Sequence, residues 1–276
     1  MTDASPAMAT PQDIAKAVLD TCVDKATLTT GKMIALGLLA GAYIGFGSLM
    51  AALIGAGASE LPHGLTQIAA GVGFALGLIL VILAGAELFT GNTLMTLPLA
   101  HKCIGTGQLA RAWLIAWVTN LVGALLLVLL ALGAGVHLAG DGGVATAAID
   151  LAAEKAGKPA LVVLASGILA NVLVCLAVWM AAGAQSAVDK VAVIVPPIAA
   201  FVALGLEHSI ANMSLLPLGL LAQAATGAAL PDGLSWGAAG LNLLWATLGN
   251  IIGGGGLGLA YWAVYLRGGD ASEADA

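Results

Sequence analysis

The chain has 276 residues, 60% hydrophobic and 9% charged, with a mean hydropathy of +1.02 and a formal net charge of -6. A soluble domain carries about 25% charged residues because its surface needs them, so this composition excludes a soluble protein and defines a polytopic membrane protein. The acids concentrate in tails and loops and leave no basic surface for nucleic acid, and Cys22, Cys103 and Cys175 form no CxxC and no evident pair.

The N-terminal stretch 1–32, MTDASPAMATPQDIAKAVLDTCVDKATLTTGK, has acids in its first turns and no apolar core, so it does not read as a signal peptide. From about Pro11 to Ala26 the spacing is helical, with Ile14, Val18, Leu19 and Cys22 on one face. This predicts a cytoplasmic amphipathic helix lying at the membrane interface. Six apolar runs follow, at 33–56, 66–100, 112–136, 160–183, 190–222 and 239–266. Each meets the length of about 20 residues that a crossing requires. Cys175 falls within the fourth run, where packing is its expected role.

The second and fifth runs are too long for one plain helix, and each has polar residues in its middle. The second holds GAELFTGN (85–92) and the fifth GLEHSIAN (205–212). Gly85, Glu87 and Asn92 thus recur at identical spacing as Gly205, Glu207 and Asn212. Asn120 precedes Gly123 by three in the third run, and Asn250 precedes Gly253 by three in the sixth. Gly41 in the first run is matched with Gly167 in the fourth. Segments 33–136 and 160–266 therefore read as two copies of a three-span unit, joined by a periplasmic loop at 137–159. Three is odd, so the copies have opposite orientation, an inverted-topology repeat. The predicted fold is all-α, with six spans in an inverted 3+3 arrangement and interruptions in spans 2 and 5.

Seven of the nine basic residues (Lys16, Lys25, Lys32, Lys102, Arg111, Lys190, Arg267) fall on one side of this arrangement; Lys155 and Lys158 fall on the other. The positive-inside rule then puts both termini, including the tail 267–276, in the cytoplasm. Interrupted helices expose backbone N–H and C=O groups that must be satisfied by protein or by a watery cavity. Glu87 and Glu207 can accept bonds from freed N–H groups, while Asn92 and Asn212 can donate and accept; all four can be there simply to satisfy the breaks. His208 is different. Its repeat counterpart is Leu88, so symmetry does not require it, and an ionisable residue at membrane depth is a functional candidate. Gly37, Gly41 and Gly45 share a face of span 1, Gly73 and Gly77 share one of span 2, and GNIIGGGGLG crowds span 6. Small residues at this spacing allow close helix packing.

GAELFTGN, NLVG, GILANVLVCLAVWM, GLEHSIANM and GNIIGG resemble the signature segments of the formate/nitrite transporter family, in that family's order, over nearly all of residues 10–267. The resemblance implies an aquaporin-like fold, a homopentamer with one pore per subunit, and passage of small monovalent anions or their conjugate acids: formate, nitrite, hydrosulfide or lactate. The motifs divide between branches, and AELFTGNTLM with NLLWATLGN leans toward nitrite. By position, His208 resembles the central pore histidine and Thr90 its partner across the pore. Phe74, Leu78 and Phe201 resemble a cytoplasmic hydrophobic constriction, and Leu88, Phe89 and Thr90 a mobile loop. Lys155 and Asn250 resemble pore-lining basic and amide residues, with Lys158 a rival for the lysine. Asn171, Glu207 and Glu87 support the site. The expected partners are the anion, protons and inner-membrane lipid; no cofactor, metal or nucleic acid is expected.

Elementary electrostatics points the same way. Moving an isolated anion into a low-dielectric constriction costs tens of kcal/mol in the Born limit. Protonating an acid of carboxyl-like pKa at pH 7 costs roughly 4 kcal/mol. A narrow apolar pore therefore passes the neutral acid, with the proton supplied either by His208 or by water while His208 positions the substrate. A water channel would carry paired Asn-Pro-Ala segments, which are absent, and an ammonia channel typically has two facing histidines. An enzyme is not expected: Ser209 is adjacent to His208 and cannot face it, and there is no G-x-S-x-G and no metal-spaced cluster.

Overall fold

The computed structural model describes residues 8–57 and 62–268. Most of the expected tail 267–276, and residues 1–7, lie outside them. The secondary-structure elements among the described residues are all helices. Helix α1 (Pro11–Thr27) starts at Thr10, whose hydroxyl accepts from Asp13 N–H, with Pro at the first helical position. Its face of Ile14, Val18 and Cys22 is buried, packed on α8 (Ala160–Gly183) and α6 (Thr106–Gly133). The helix expected at the lipid interface is thus seated on protein, because its apolar stripe meets the Gly183 end of α8, where no side chain holds Ile14 away. Burial pushes the Cys22 thiol up to about 12, as suits a packing residue.

Among the described residues, five helices are long and apolar enough to cross a membrane: α2 (Thr30–Gly55), α3 (His63–Leu83), α6, α8, and α11 (Trp236–Tyr261), which continues through a π-turn to Leu266. Leu65, Leu114, Leu130 and Leu161 point outward and are exposed, which suits contact with lipid tails. The rest of the second apolar run is divided into α4 (Phe89–Asn92), a 3-10 turn (Thr93–Met95) and α5 (Thr96–Ala100). The fifth run is divided into α9 (Ala187–Ala203) and α10 (Ser209–Thr226). Helices α3 and α9 end in the same way. Gly85 (φ 77°) and Gly205 (φ 63°) adopt the left-handed conformation, and the following N–H groups of Ala86 and Leu206 return to the carbonyls of Val81 and Phe201. Glycine permits this cap because it has no Cβ to strain. Segment 137–159, expected as a loop, contains α7 (Gly143–Ala156), which buries Val144, Ala148, Ile149 and Ala152. Its many alanines and its shortness hide the helical pattern in the sequence.

Backbones meet at the glycines. A Cβ at Gly123 of α6 would fall on the Leu38 carbonyl oxygen of α2, and one at Gly253 of α11 on the Ile168 carbonyl of α8. Replacing Gly123 or Gly253 by valine should destabilise the protein by at least about 1–3 kcal/mol through overpacking. Gly240→Ala, where nothing lies within 4 Å of the new methyl, should be neutral or stabilising by up to about 1 kcal/mol. Denaturation midpoints in detergent measure the difference.

Candidate functional site

The N-termini of α4 and α10 both lie inside the bundle, and their exposed backbone groups are met by two asparagines. Asn120 of α6 donates through Nδ2 to the carbonyls of Gly37 (2.8 Å) and Glu87 (2.9 Å), while its Oδ1 accepts from Phe89 N–H (2.9 Å). Asn250 of α11 donates to the carbonyls of Gly167 (2.7 Å) and Glu207 (3.0 Å) and accepts from Ser209 N–H (2.8 Å). Two expectations are corrected here. The freed N–H groups of Phe89 and Ser209 go to amides, not to Glu87 and Glu207, because an amide satisfies an N–H and a C=O at once while a carboxylate only accepts. The glycine equivalent to Gly167 is Gly37 rather than Gly41, since these two hold the same bond. The step in sequence from Gly37 to Gly167 also equals the step from Asn120 to Asn250.

The glutamates instead pair with lysines. Glu87 Oε1 lies 3.1 Å from Lys25 Nζ, and Oε2 accepts from Asn92 Nδ2 (2.8 Å); Lys25 also donates to Asn92 Oδ1 (3.0 Å). Glu207 is fully buried, with Lys155 (3.2 Å) and Lys158 (2.8 Å) both on Oε1 and the amides of Asn212 (2.6 Å) and Asn242 (3.3 Å) on Oε2. The rival lysines therefore share one carboxylate oxygen. Paired charges and amide donors offset the desolvation that an isolated buried carboxylate would suffer. Burial opposes the charge of Lys158, but the Glu207 carboxylate outweighs it and holds the ammonium above its usual range. Lys25, Asn242 and Ser166, whose hydroxyl accepts from Glu207 N–H (3.0 Å), were missed. A signal existed for Lys25: it precedes Lys155 by the same step that separates Asn120 from Asn250.

His208 caps α10. Its Nδ1 accepts from Ala211 N–H (3.1 Å), so the neutral ring carries its proton on Nε2, which lies 2.8 Å from Thr90 Oγ1. Both side chains are enclosed, at 1% and 0% exposure. The Thr90 carbonyl accepts from Thr93 Oγ1 (2.6 Å) and from Asn171 Nδ2 (3.2 Å), which also reaches the Asn250 carbonyl (2.7 Å). Asn171 thus ties one interrupted helix to the brace of the other.

Two funnels approach this pair from opposite ends. One, of about 410 Å³, is lined along α3 from His63 to Phe74 and includes Lys155, Lys158 and Phe201. The other, of about 530 Å³, is lined at the C-terminal end of α3 by Leu78 and includes Lys25, Leu88 and Lys190. Of the three residues that resemble a cytoplasmic constriction, Phe74 and Phe201 line the first funnel and Leu78 the second. Phe74 and Phe201 stand edge to face, centroids 5.4 Å apart, at the floor of the first funnel, and Phe201 lies 5.6 Å from the His208 ring. Leu78 belongs to the second funnel because it is one turn further along α3 from Phe74. Asn250, expected in the pore, is fully buried with both amide atoms used as a brace. Phe89 lines neither funnel; it packs against Trp113 (6.2 Å).

Between the two charge-bearing funnels stand Phe74 and Phe201, with the His208 ring behind them. The chain matches the family described as formate/nitrite transporter over residues 12–263. It is 38% identical to the formate channel FocA of Escherichia coli (strain K12), covering 93% of this chain and 94% of that one. It is 37% identical to the nitrite transporter NirC of the same strain, covering 81% and 80%. A solved structure described as a pentameric formate channel with formate bound superimposes with a TM-score of 0.78 at 34% identity, covering 86% of this chain and 98% of that one. An FNT family ion channel gives 0.80 at 32% identity, covering 91% and 98%. The protein belongs to the formate/nitrite transporter family, and the relatives it matches are membrane channels and transporters, not enzymes.

Replacing Asn250 by alanine leaves Ser209 N–H and the Glu207 carbonyl without partners and removes the second bond to the Gly167 carbonyl, which keeps its bond within α8. At about 1–3 kcal/mol for each orphaned group, Asn250→Ala should sharply lower the folded yield and the thermal midpoint in detergent. Asn120→Ala should do the same.

Proposed function

We propose that the protein is a transmembrane channel for small monovalent anions, formate or nitrite, which cross as the neutral acid with proton assistance at His208. The observation that carries this reading is the His208–Thr90 pair enclosed between two funnels, each bearing lysines. In the sequence the motifs lean toward nitrite; the match to the formate channel spans more of the chain, 93% against 81%, so formate is the first substrate to assay. Six crossings complete the fold: α9 and α10 together make one, α3 with α4 and α5 another. The hydrogen bonds duplicated at Asn120 and Asn250 support two inverted copies of a three-span unit. The charge distribution supports an inner-membrane protein with both termini cytoplasmic, and the pentameric formate channel supports a homopentamer surrounded by lipid.

Lys25, Lys155 and Lys158 attract the anion without binding it permanently, because Glu87 and Glu207 compensate their charge. At the floor the anion meets Phe74, Phe201, Leu78 and Leu88, where a charge is costly. The neutral His208 ring donates from Nε2, and the entering anion can take the place of Thr90 as acceptor. Gaining a proton makes the ring an imidazolium that attracts the anion; yielding one to the anion returns it to neutral, and an uncharged acid crosses. Charging Nδ1 requires it to release Ala211 N–H, so protonation is coupled to the cap of α10.

Initial uptake of labelled formate and nitrite against external pH tests this. The wild-type rate should rise as the external pH falls. His208→Phe should lower it by more than about tenfold, and His208→Asn should flatten the pH dependence, both at unchanged protein level. Three coincident curves would overturn the role of the histidine. Phe201→Ala, which removes one ring of the edge-to-face pair, should let larger monocarboxylates pass faster than in wild type; unchanged rates would exclude Phe201 as a size filter.

A further inference from the structure

The funnel containing Lys25 holds a second cation that neither glutamate uses. Lys190 lies in the first turns of α9, half-buried, and lines this funnel. Among the described residues it makes no ion pair and no side-chain hydrogen bond. The acid beside it is occupied: Asp189 accepts from Ser186 N–H (3.1 Å), and Ser186 Oγ accepts from Asp189 N–H (3.1 Å) to cap the helix. The other lysine of the funnel, Lys25, is held by Glu87 and Asn92. Asp24 is the remaining acid on the wall.

The opposite funnel has no such group. At the offset that relates Glu87 to Glu207, the counterpart of Lys190 is Ala70, which lines that funnel from α3. There Lys155 and Lys158 share Glu207, Lys158 also pairs with Glu154 (3.2 Å), and Asp150 and His63 lie on the wall. The two funnels thus have similar lysine–glutamate–asparagine clusters; one adds Glu154, Asp150 and His63, the other Asp24 and Lys190, and Lys190 is the lysine of the two funnels that is in no ion pair among the described residues. A cation whose field is not cancelled by a neighbour raises the local concentration of a mobile anion in a low-dielectric cleft.

Resting on the channel reading above, we infer that Lys190 is the anion-capturing residue of the funnel on the side of the termini, and that it makes loading from that face more effective than loading from the other. Its action is electrostatic and precedes the apolar floor, so it sets the half-saturating concentration and not the maximal rate.

The test uses full-length protein in sealed vesicles sorted by whether a C-terminal tag is accessible to external protease. Formate and nitrite are offered to each face in turn. Lys190→Gln should raise the half-saturating concentration about threefold or more on the terminus face, with the maximal rate and the opposite face unchanged. The difference should collapse at about 1 M salt, where the screening length is about 3 Å, and Lys190→Arg should restore wild-type values. No shift, an equal shift on both faces, or failure of arginine to rescue overturns the inference. If wild-type protein passes neither anion, the channel reading fails by itself. Lys190 is then judged by amine acylation in detergent, followed by mass spectrometry at constant ionic strength with gluconate as the balancing anion. Slower labelling of Lys190 in formate or nitrite, with exposed Lys16 unaffected, supports anion capture; equal rates overturn it.

Discussion

An α-helix interrupted inside an apolar bundle leaves backbone N–H and C=O groups that no solvent can reach, and each one left unpaired costs several kcal/mol in a hydrocarbon environment. Much else in this protein follows from how those groups are satisfied. Asn120 and Asn250 each close one interruption with a single amide, and each amide also grips a neighbouring helix at a glycine carbonyl. The grip requires that backbones approach closely, so the glycines of α2, α6, α8 and α11 are tied to the same requirement. Packing density and polar satisfaction are here one problem with one solution, found twice.

Once the interruptions are braced from behind, the helix N-termini are free to present side chains forward. His208 is the clearest case. It caps α10 with one ring nitrogen and faces Thr90 with the other. A leucine stands at the matching place in the other half and makes no side-chain cap. The asymmetry gives one interruption a titratable ring and the other an aliphatic side chain. The lysine–glutamate pairs on both sides add local charge without net charge, which lets polar residues remain at depth while the floor between Phe201 and Leu88 stays apolar.

The short helices outside the long apolar runs contribute as much to the site as the runs themselves. Lys25 comes from α1, and Lys155 from α7, with Lys158 just beyond it. Neither helix is long enough to cross a membrane. Each lies ahead of a long helix, α2 or α8, and each delivers an ammonium to the glutamate of an interruption. That correspondence explains why an amphipathic segment near the N-terminus buries its apolar face against protein.

The sequence by itself determined the membrane class, the positions of the polar stretches within apolar runs and the internal repetition, because these depend on composition and spacing along one chain; the family followed from the resemblance of its motifs. It placed Asn120, Asn250, Glu87, Glu207 and His208 among the residues that matter, since polar groups in apolar runs need a reason. Their partners are another matter. The tertiary structure decided that amides rather than carboxylates close the interruptions, that Gly37 rather than Gly41 matches Gly167, and that Phe74 and Leu78 face different funnels although they stand one turn apart on α3. Composition and spacing say that a buried polar group must be satisfied; only the docking of distant helices says by which atom, because the choice depends on distances of a few ångströms between segments far apart in the chain.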